Sequence, residues 1–190
     1  MIDTNRLHYI EVAAQAARAL ADNRFTDLGA MLEHVPDMTL AAMVLTAGTV
    51  DPVPNLTREG ERLAGILEGS LVCPTILFEQ FDPLVRQRFS IAHELGHYYL
   101  HAQRNKSSVS IAYQRCIQRR VDAEFVSDDS EVGDIEAEAD AFAGAFLLLA
   151  DEVRADLAHF GKCIAFLAER YGVSEATMRR RIRTLELVRA

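Results

Sequence analysis

Cysteine is scarce and scattered in this chain of 190 residues. Cys73, Cys116 and Cys163 are odd in number, and no Cys-x-x-Cys occurs. That excludes a disulfide framework and a thiolate zinc site, and it fits a reducing cytoplasm. Long apolar runs are missing too. The longest, Ala141 to Ala150, is bounded by Asp140 and Asp151 and is too short to span a bilayer. Basic charge is in deficit: 20 Lys and Arg against 28 Asp and Glu leave a net charge of −8. A molecule so charged does not favour nucleic acid or an anionic membrane surface as its partner. Met1 to Arg6 lack the basic-then-apolar pattern of a signal peptide, so a cytoplasmic location is expected. There is no internal repeat and no low-complexity tract.

Hydrophobic residues make up 49% of the chain and charged residues 25%, the proportions of a soluble globular protein. The length suits one domain, or one with a small appendage. Thr4 can cap a helix over 4–22, with Leu7, Ile10, Ala14, Ala17 and Leu20 at helical spacing. Residues 26–34 read as a short second helix and 39–46 as a third, and 51–55 as a Pro-rich loop. From Arg62 the pattern changes to short strands, at 63–67, 71–73 and 75–78, with Pro74 placed at an edge or a bulge. Residues 84–101 and 134–149 read as helices, with a polar connection between them over 103–133. Three segments result: 1–60, helical; 61–150, the candidate catalytic core; and 151–190, two helices packed on that core.

The chemistry gathers in His93-Glu94-Leu95-Gly96-His97. Two histidines four apart project from one face of a helix and can reach one zinc ion, Zn2+. Glu94, beside the first, is placed to take a proton from an attacking water. The competing reading is a buried helix with two hydrogen-bonded histidines. Gly96 weakens a helix by about 1 kcal/mol relative to Ala, which points to a close neighbour on that side. A catalytic zinc needs a third protein ligand and an open position. Glu136 and Asp140 lie four apart on one face of the 134–149 helix. Glu136 is therefore the expected third ligand, and Asp140 the hydrogen-bond partner of a ligand histidine. Glu138 would replace Glu136 if that helix were rotated. His101 falls about 12 Å along a continuous helix from His93, so it is expected to sit behind the ligands. Tyr98, Tyr99, Tyr113 and His101 are candidates for stabilising an oxyanion.

Two stretches, Arg86-Gln87-Arg88-Phe89-Ser90-Ile91-Ala92-His93-Glu94-Leu95-Gly96-His97 and Glu136-Ala137-Glu138-Ala139-Asp140-Ala141-Phe142-Ala143, resemble the two motifs of the ImmA/IrrE metallopeptidases. The resemblance covers roughly residues 60–185. It implies an α+β, zincin-like metallopeptidase domain with a small sheet, and a gluzincin-like zinc endopeptidase with His93, His97 and Glu136 as ligands and Glu94 as base. It also implies a protein substrate of the kind that family cuts, a transcriptional repressor in a stress or mobile-element setting. The family's Leu-Leu-Met-Pro ending reads Leu147-Leu148-Leu149-Ala150 here, and the connection from His97 to Glu136 is longer than the family pattern.

Residues 165–183 resemble a helix-turn-helix, with Gly172 ending one helix and Ser174 capping the next. Arg179, Arg180, Arg181 and Arg183 make the last helix basic. This raises two other readings, a DNA-binding regulator and a protein-binding scaffold with a structural zinc. The acidic balance of the whole makes nucleic acid the less expected partner.

Overall fold

A computed structural model describes residues 2–27, 37–58, 60–102 and 131–187. The architecture is mixed α and β, with two small sheets and several helices. Helix α1 (Thr4–Asp27) is followed by α2 (Met38–Thr46), β1 (Thr49–Val53), the hairpin strands β2 (Thr57–Arg58) and β3 (Glu61–Arg62), β4 (Gly65–Gly69) and β5 (Pro74–Glu79). Then come α3 (Leu84–His97), a π-helical turn (Tyr98–Ala102), α4 (Glu131–Leu147), α5 (Ala150–Phe160), α6 (Ile164–Tyr171) and α7 (Glu175–Leu187).

The larger sheet has the order β1-β5-β4, with β1 parallel and β4 antiparallel to the central strand. Period-two alternation divides its faces. Val50, Leu67, Ile76 and Phe78 join the main core with the helices, while Val53, Ile66 and Leu77 pack against Leu56 and Leu63 near the hairpin. Glu79 fastens that hairpin. Its buried carboxylate accepts backbone N–H bonds from Asn55 (3.2 Å), Leu56 (2.7 Å) and Phe81 (2.9 Å). Burial pushes this acid up, but those bonds win and hold it below the usual carboxylate range.

Several local expectations change. Asp3, not Thr4, caps α1: its Oδ1 accepts the Arg6 N–H at 2.8 Å. Residues 51–53 belong to β1 rather than a loop, and Pro52 is tolerated because β1 is an edge strand. Residues 71–73 form the turn from β4 to β5 rather than a strand. Gly69, at φ 92°, opens it, and Ser70 Oγ accepts the Cys73 N–H. Pro74 opens the central strand, where its missing N–H falls at the first position of the ladder. The short helix read at 26–34 lies mostly outside the described residues, as do residues 103–130 and Tyr113; residues 26 and 27 end α1.

The last two helices close on the core through Leu167, Tyr171, Met178 and Ile182. Gly172, at φ 61°, caps α6, and Ser174 Oγ accepts the Thr177 N–H at 3.1 Å. Two of the four arginines turn inward. Arg181 is buried, donating to both Glu11 carboxylate oxygens at 2.6 Å and to the Leu148 carbonyl at 2.7 Å. Arg179 instead makes an exposed pair with Glu175 one turn back.

Arg181→Met should therefore cost about 3–5 kcal/mol, because Glu11 is left as a buried, uncompensated charge. Arg179→Met should cost no more than about 0.5 kcal/mol. Chemical denaturation of the two variants beside wild type checks this; equal losses would overturn it.

Candidate metal centre

Helices α3 and α4 cross at Gly96. A Cβ there would lie 3.0 Å from both the Cα and the carbonyl oxygen of Ala139, and 3.2 Å from Phe142 Cβ. The glycine thus admits α4 to a distance that no larger residue allows. The close approach brings the first turns of α4 over the histidine face of α3.

Three side chains meet there. His93 Nε2 and His97 Nε2 are 3.0 Å apart. Glu136 places Oε2 3.2 Å from the first and Oε1 3.4 Å from the second. Among the described residues this is the group able to hold a metal ion. A tetrahedral zinc with ligand bonds of about 2.0–2.1 Å separates its ligand atoms by about 3.3 Å, which these three spacings bracket.

The hydrogen bonds behind the histidines bear on whether a cation fits. His93 Nδ1 lies 2.9 Å from Asp140 Oδ1, and Asp140 Oδ2 accepts from Arg180 at 2.7 Å. Burial pushes Asp140 up, but the His93 hydrogen bond and Arg180 outweigh it and hold the acid at about 2. An ionised carboxylate only accepts, so His93 Nδ1 carries the proton and Nε2 presents its lone pair inward. On the other side, His97 Nδ1 lies 3.1 Å from His101 Nδ1. His101 Nε2 lies 3.0 Å from Glu138 Oε2, and Arg6 pairs with both oxygens of that carboxylate. Burial pushes both His97 and His101 below the ordinary imidazole range, which keeps them neutral. Burial raises Glu136, and the two imidazoles bring it down to about 2 when they offer it a proton; with both protons held on the outer nitrogens, a cation fills that role instead. A carboxylate facing two imidazole nitrogens is a donor set suited to zinc.

Glu94 is different. It is buried against β4, and its Oε2 has no hydrogen-bond partner among the described residues. Burial pushes its acid up to about 7, with the Glu136 charge adding to the rise; His93 and the Leu67 N–H pull the other way. A Cβ on Gly65 would lie 2.9 Å from Glu94 Oε1 and 3.2 Å from its Cγ, so a larger residue at the start of β4 would have to displace the carboxyl.

The structure thus brings His93, Glu94, His97, Glu136 and Asp140 together. It carries Glu138 away from the group, to His101 and Arg6. The α-helix gives way to a π turn after His97, and His101 lies behind His97 rather than beside the inward nitrogens. Tyr98 donates its hydroxyl to the Leu71 carbonyl at 3.3 Å, and Tyr99 stacks on Phe142. Sequence reasoning missed Arg6, Gly65 and the inward role of Arg180. Only Arg180 left a trace, inside a basic cluster that also suits DNA.

Residues 73–183 match the family model Peptidase_M78, described as the IrrE N-terminal-like domain. No curated protein matches the chain.

Glu94 makes a signed prediction for the metal-free protein. Its ordinary value is 4.5 and its folded value about 7. The stability it supports is fully present below the ordinary value and is lost as pH rises through the folded one. Glu136 and Asp140 run oppositely: their contribution is present above the ordinary carboxylate range and is lost toward pH 2. Comparing wild type with Glu94→Gln isolates the first effect. Between pH 4.5 and 8 the balance should move by about 2–3 kcal/mol in favour of Glu94→Gln. A difference that stays flat across that range would overturn this account of the carboxyl.

Proposed function

The chain belongs to the IrrE N-terminal-like peptidase family, and we propose that it is a zinc-dependent endopeptidase that cuts a specific transcriptional repressor or regulator in the cytoplasm. The observation that carries this reading is the group of His93 Nε2, His97 Nε2 and Glu136, with Glu94 beside it, its Oε2 without a hydrogen-bond partner among the described residues. His93, His97 and Glu136 would hold the ion. Zinc bound there would polarise the scissile carbonyl and make a nearby water acidic.

The remaining chemistry belongs to the chain's own groups. Glu94, as the carboxylate that a cation beside it would favour, takes a proton from the attacking water and hands it to the leaving amide nitrogen. Asp140 fixes the His93 ring, and Arg180 fixes Asp140. Strand β4 is an edge of the sheet and carries Gly65 and Leu67 against Glu94. This supports a substrate laid in extended form along that edge, its amide presented to Glu94. A regulator as substrate rests on the family resemblance. The rival DNA-binding reading is weakened by Arg180 and Arg181, whose guanidinium groups are engaged on Asp140 and Glu11. No described helix is long and apolar enough to cross a membrane.

Elemental analysis of the purified protein is the direct test. About one zinc per chain is expected, lost in His93→Ala and Glu136→Ala, with Glu138→Ala affected far less than Glu136→Ala. Glu94→Gln should keep its zinc and lose cleavage of the cognate regulator, sought first among proteins encoded beside this one. Wild-type protein that takes up no zinc would overturn the reading, and full turnover by Glu94→Gln would overturn the assignment of Glu94 as the base.

A further inference from the structure

We propose that Arg6, Glu138 and His101 are positioning residues that lock His97 in the tautomer whose Nε2 lone pair faces the metal, so that the N-terminal helix is a working part of the metal centre. The inference rests on the zinc site proposed above and adds to it a residue from α1, outside the matched family segment of 73–183.

The order of bonds is decided at Glu138. Its carboxylate takes the Arg6 Nε–H at 2.6 Å on Oε1 and a second Arg6 N–H on Oε2. Arg6 is itself held, its guanidinium stacked 5.0 Å above the Tyr9 ring. A carboxylate so paired is an acceptor only. The His101 contact at Oε2, 3.0 Å away, must therefore be a donation from His101 Nε2–H. A neutral imidazole has one N–H, so His101 Nδ1 can only accept. The 3.1 Å contact between the two Nδ1 atoms is then a donation from His97. His97 has spent its one proton outward, and its Nε2 is left with a lone pair towards His93 and Glu136.

The π turn is what makes this geometry available. A π turn carries an extra residue per hydrogen-bonded loop and re-aims the side chains that follow it. Here it sets His101 against the outer nitrogen of His97 while leaving its other nitrogen within reach of α4. Without the chain, His97 could as well carry its proton on Nε2, where it would oppose the ion.

Two measurements decide this together. The first is the tautomer of His97 in the metal-free protein, read from imidazole nitrogen shifts. The second is affinity for zinc alone, read by competition with a chromophoric chelator. Wild type should carry the His97 proton on Nδ1. Glu138→Gln, which offers a donor as well as an acceptor, and Arg6→Met, which frees the carboxylate, should give mixed tautomers and lose about 10–100-fold in zinc affinity. Arg6→Lys, keeping one charged donor, should lose less than Arg6→Met. A wild-type His97 protonated on Nε2 overturns the proposal without any variant. Variants that keep both the tautomer and the affinity overturn it, as does weaker zinc with an unchanged tautomer, the mark of general loosening. A changed tautomer with unchanged affinity overturns its link to the metal. If wild type binds no zinc at all, the zinc site itself fails, and the tautomer alone still decides the order of bonds.

Discussion

With their protons on the outer nitrogens, the Nε2 atoms of His93 and His97, 3.0 Å apart in a buried place, repel each other. Hydrogen bonds on the outer nitrogens point both lone pairs inward, and the Glu136 carboxylate adds negative charge to the same spot. The folded chain has therefore assembled a place that is costly for itself and favourable for a divalent cation. Binding would return what folding spent, which is how metal affinity and fold stability come to be linked. Much of the surrounding architecture can be understood as what holds these groups against their own repulsion.

The holding is done at three levels. Gly96 sets the distance between the two central helices, because a side chain there would push the Ala139 backbone back by a few tenths of an ångström. The sheet backs α3 and carries the edge that presses on Glu94. The two ends of the described chain then reach the histidines from opposite sides: α7 through Arg180 and Asp140 to His93, and α1 through Arg6, Glu138 and His101 to His97. Arg181 and Glu11 join those same two helices directly through a buried ion pair. A pair of this kind contributes little net stability over an apolar substitute, yet it is intolerant of losing either partner. Its position suggests what it is for: it fixes the register of α1 against α7, and with it both hydrogen-bond chains.

What the sequence made legible follows from range. The histidine pair, its glutamate and the spacing of Glu136 and Asp140 are local patterns, and helical periodicity brings each set to one face. Gly96 announced a close neighbour because its helix cost asks for a reason. Arg6 and Glu138 are separated by 132 residues, and no periodicity connects them. Glu138 read as a spare ligand because its true partners, His101 and Arg6, come from other elements. The strand boundaries near Pro52 and Pro74 misled for a related reason. Proline marks a missing donor, but only the sheet order says whether a donor is needed there.

Glu94 shows where stability and function pull apart. A carboxyl with a buried, unpartnered oxygen lowers the stability of the metal-free fold above its ordinary titration range, and a glutamine of the same shape would relieve that. The proposed reaction nonetheless needs an acid at this position, since a glutamine can neither take a proton from water nor return one. A basic side chain paired directly with Glu94 would stabilise the fold and occupy the oxygen that the proposed reaction needs open. Leaving it beside Gly65 keeps Oε2 without a hydrogen-bond partner among the described residues, open for the proposed proton transfer. The cost to stability and the capacity for proton transfer thus have one physical origin, the removal of water from a single carboxyl group.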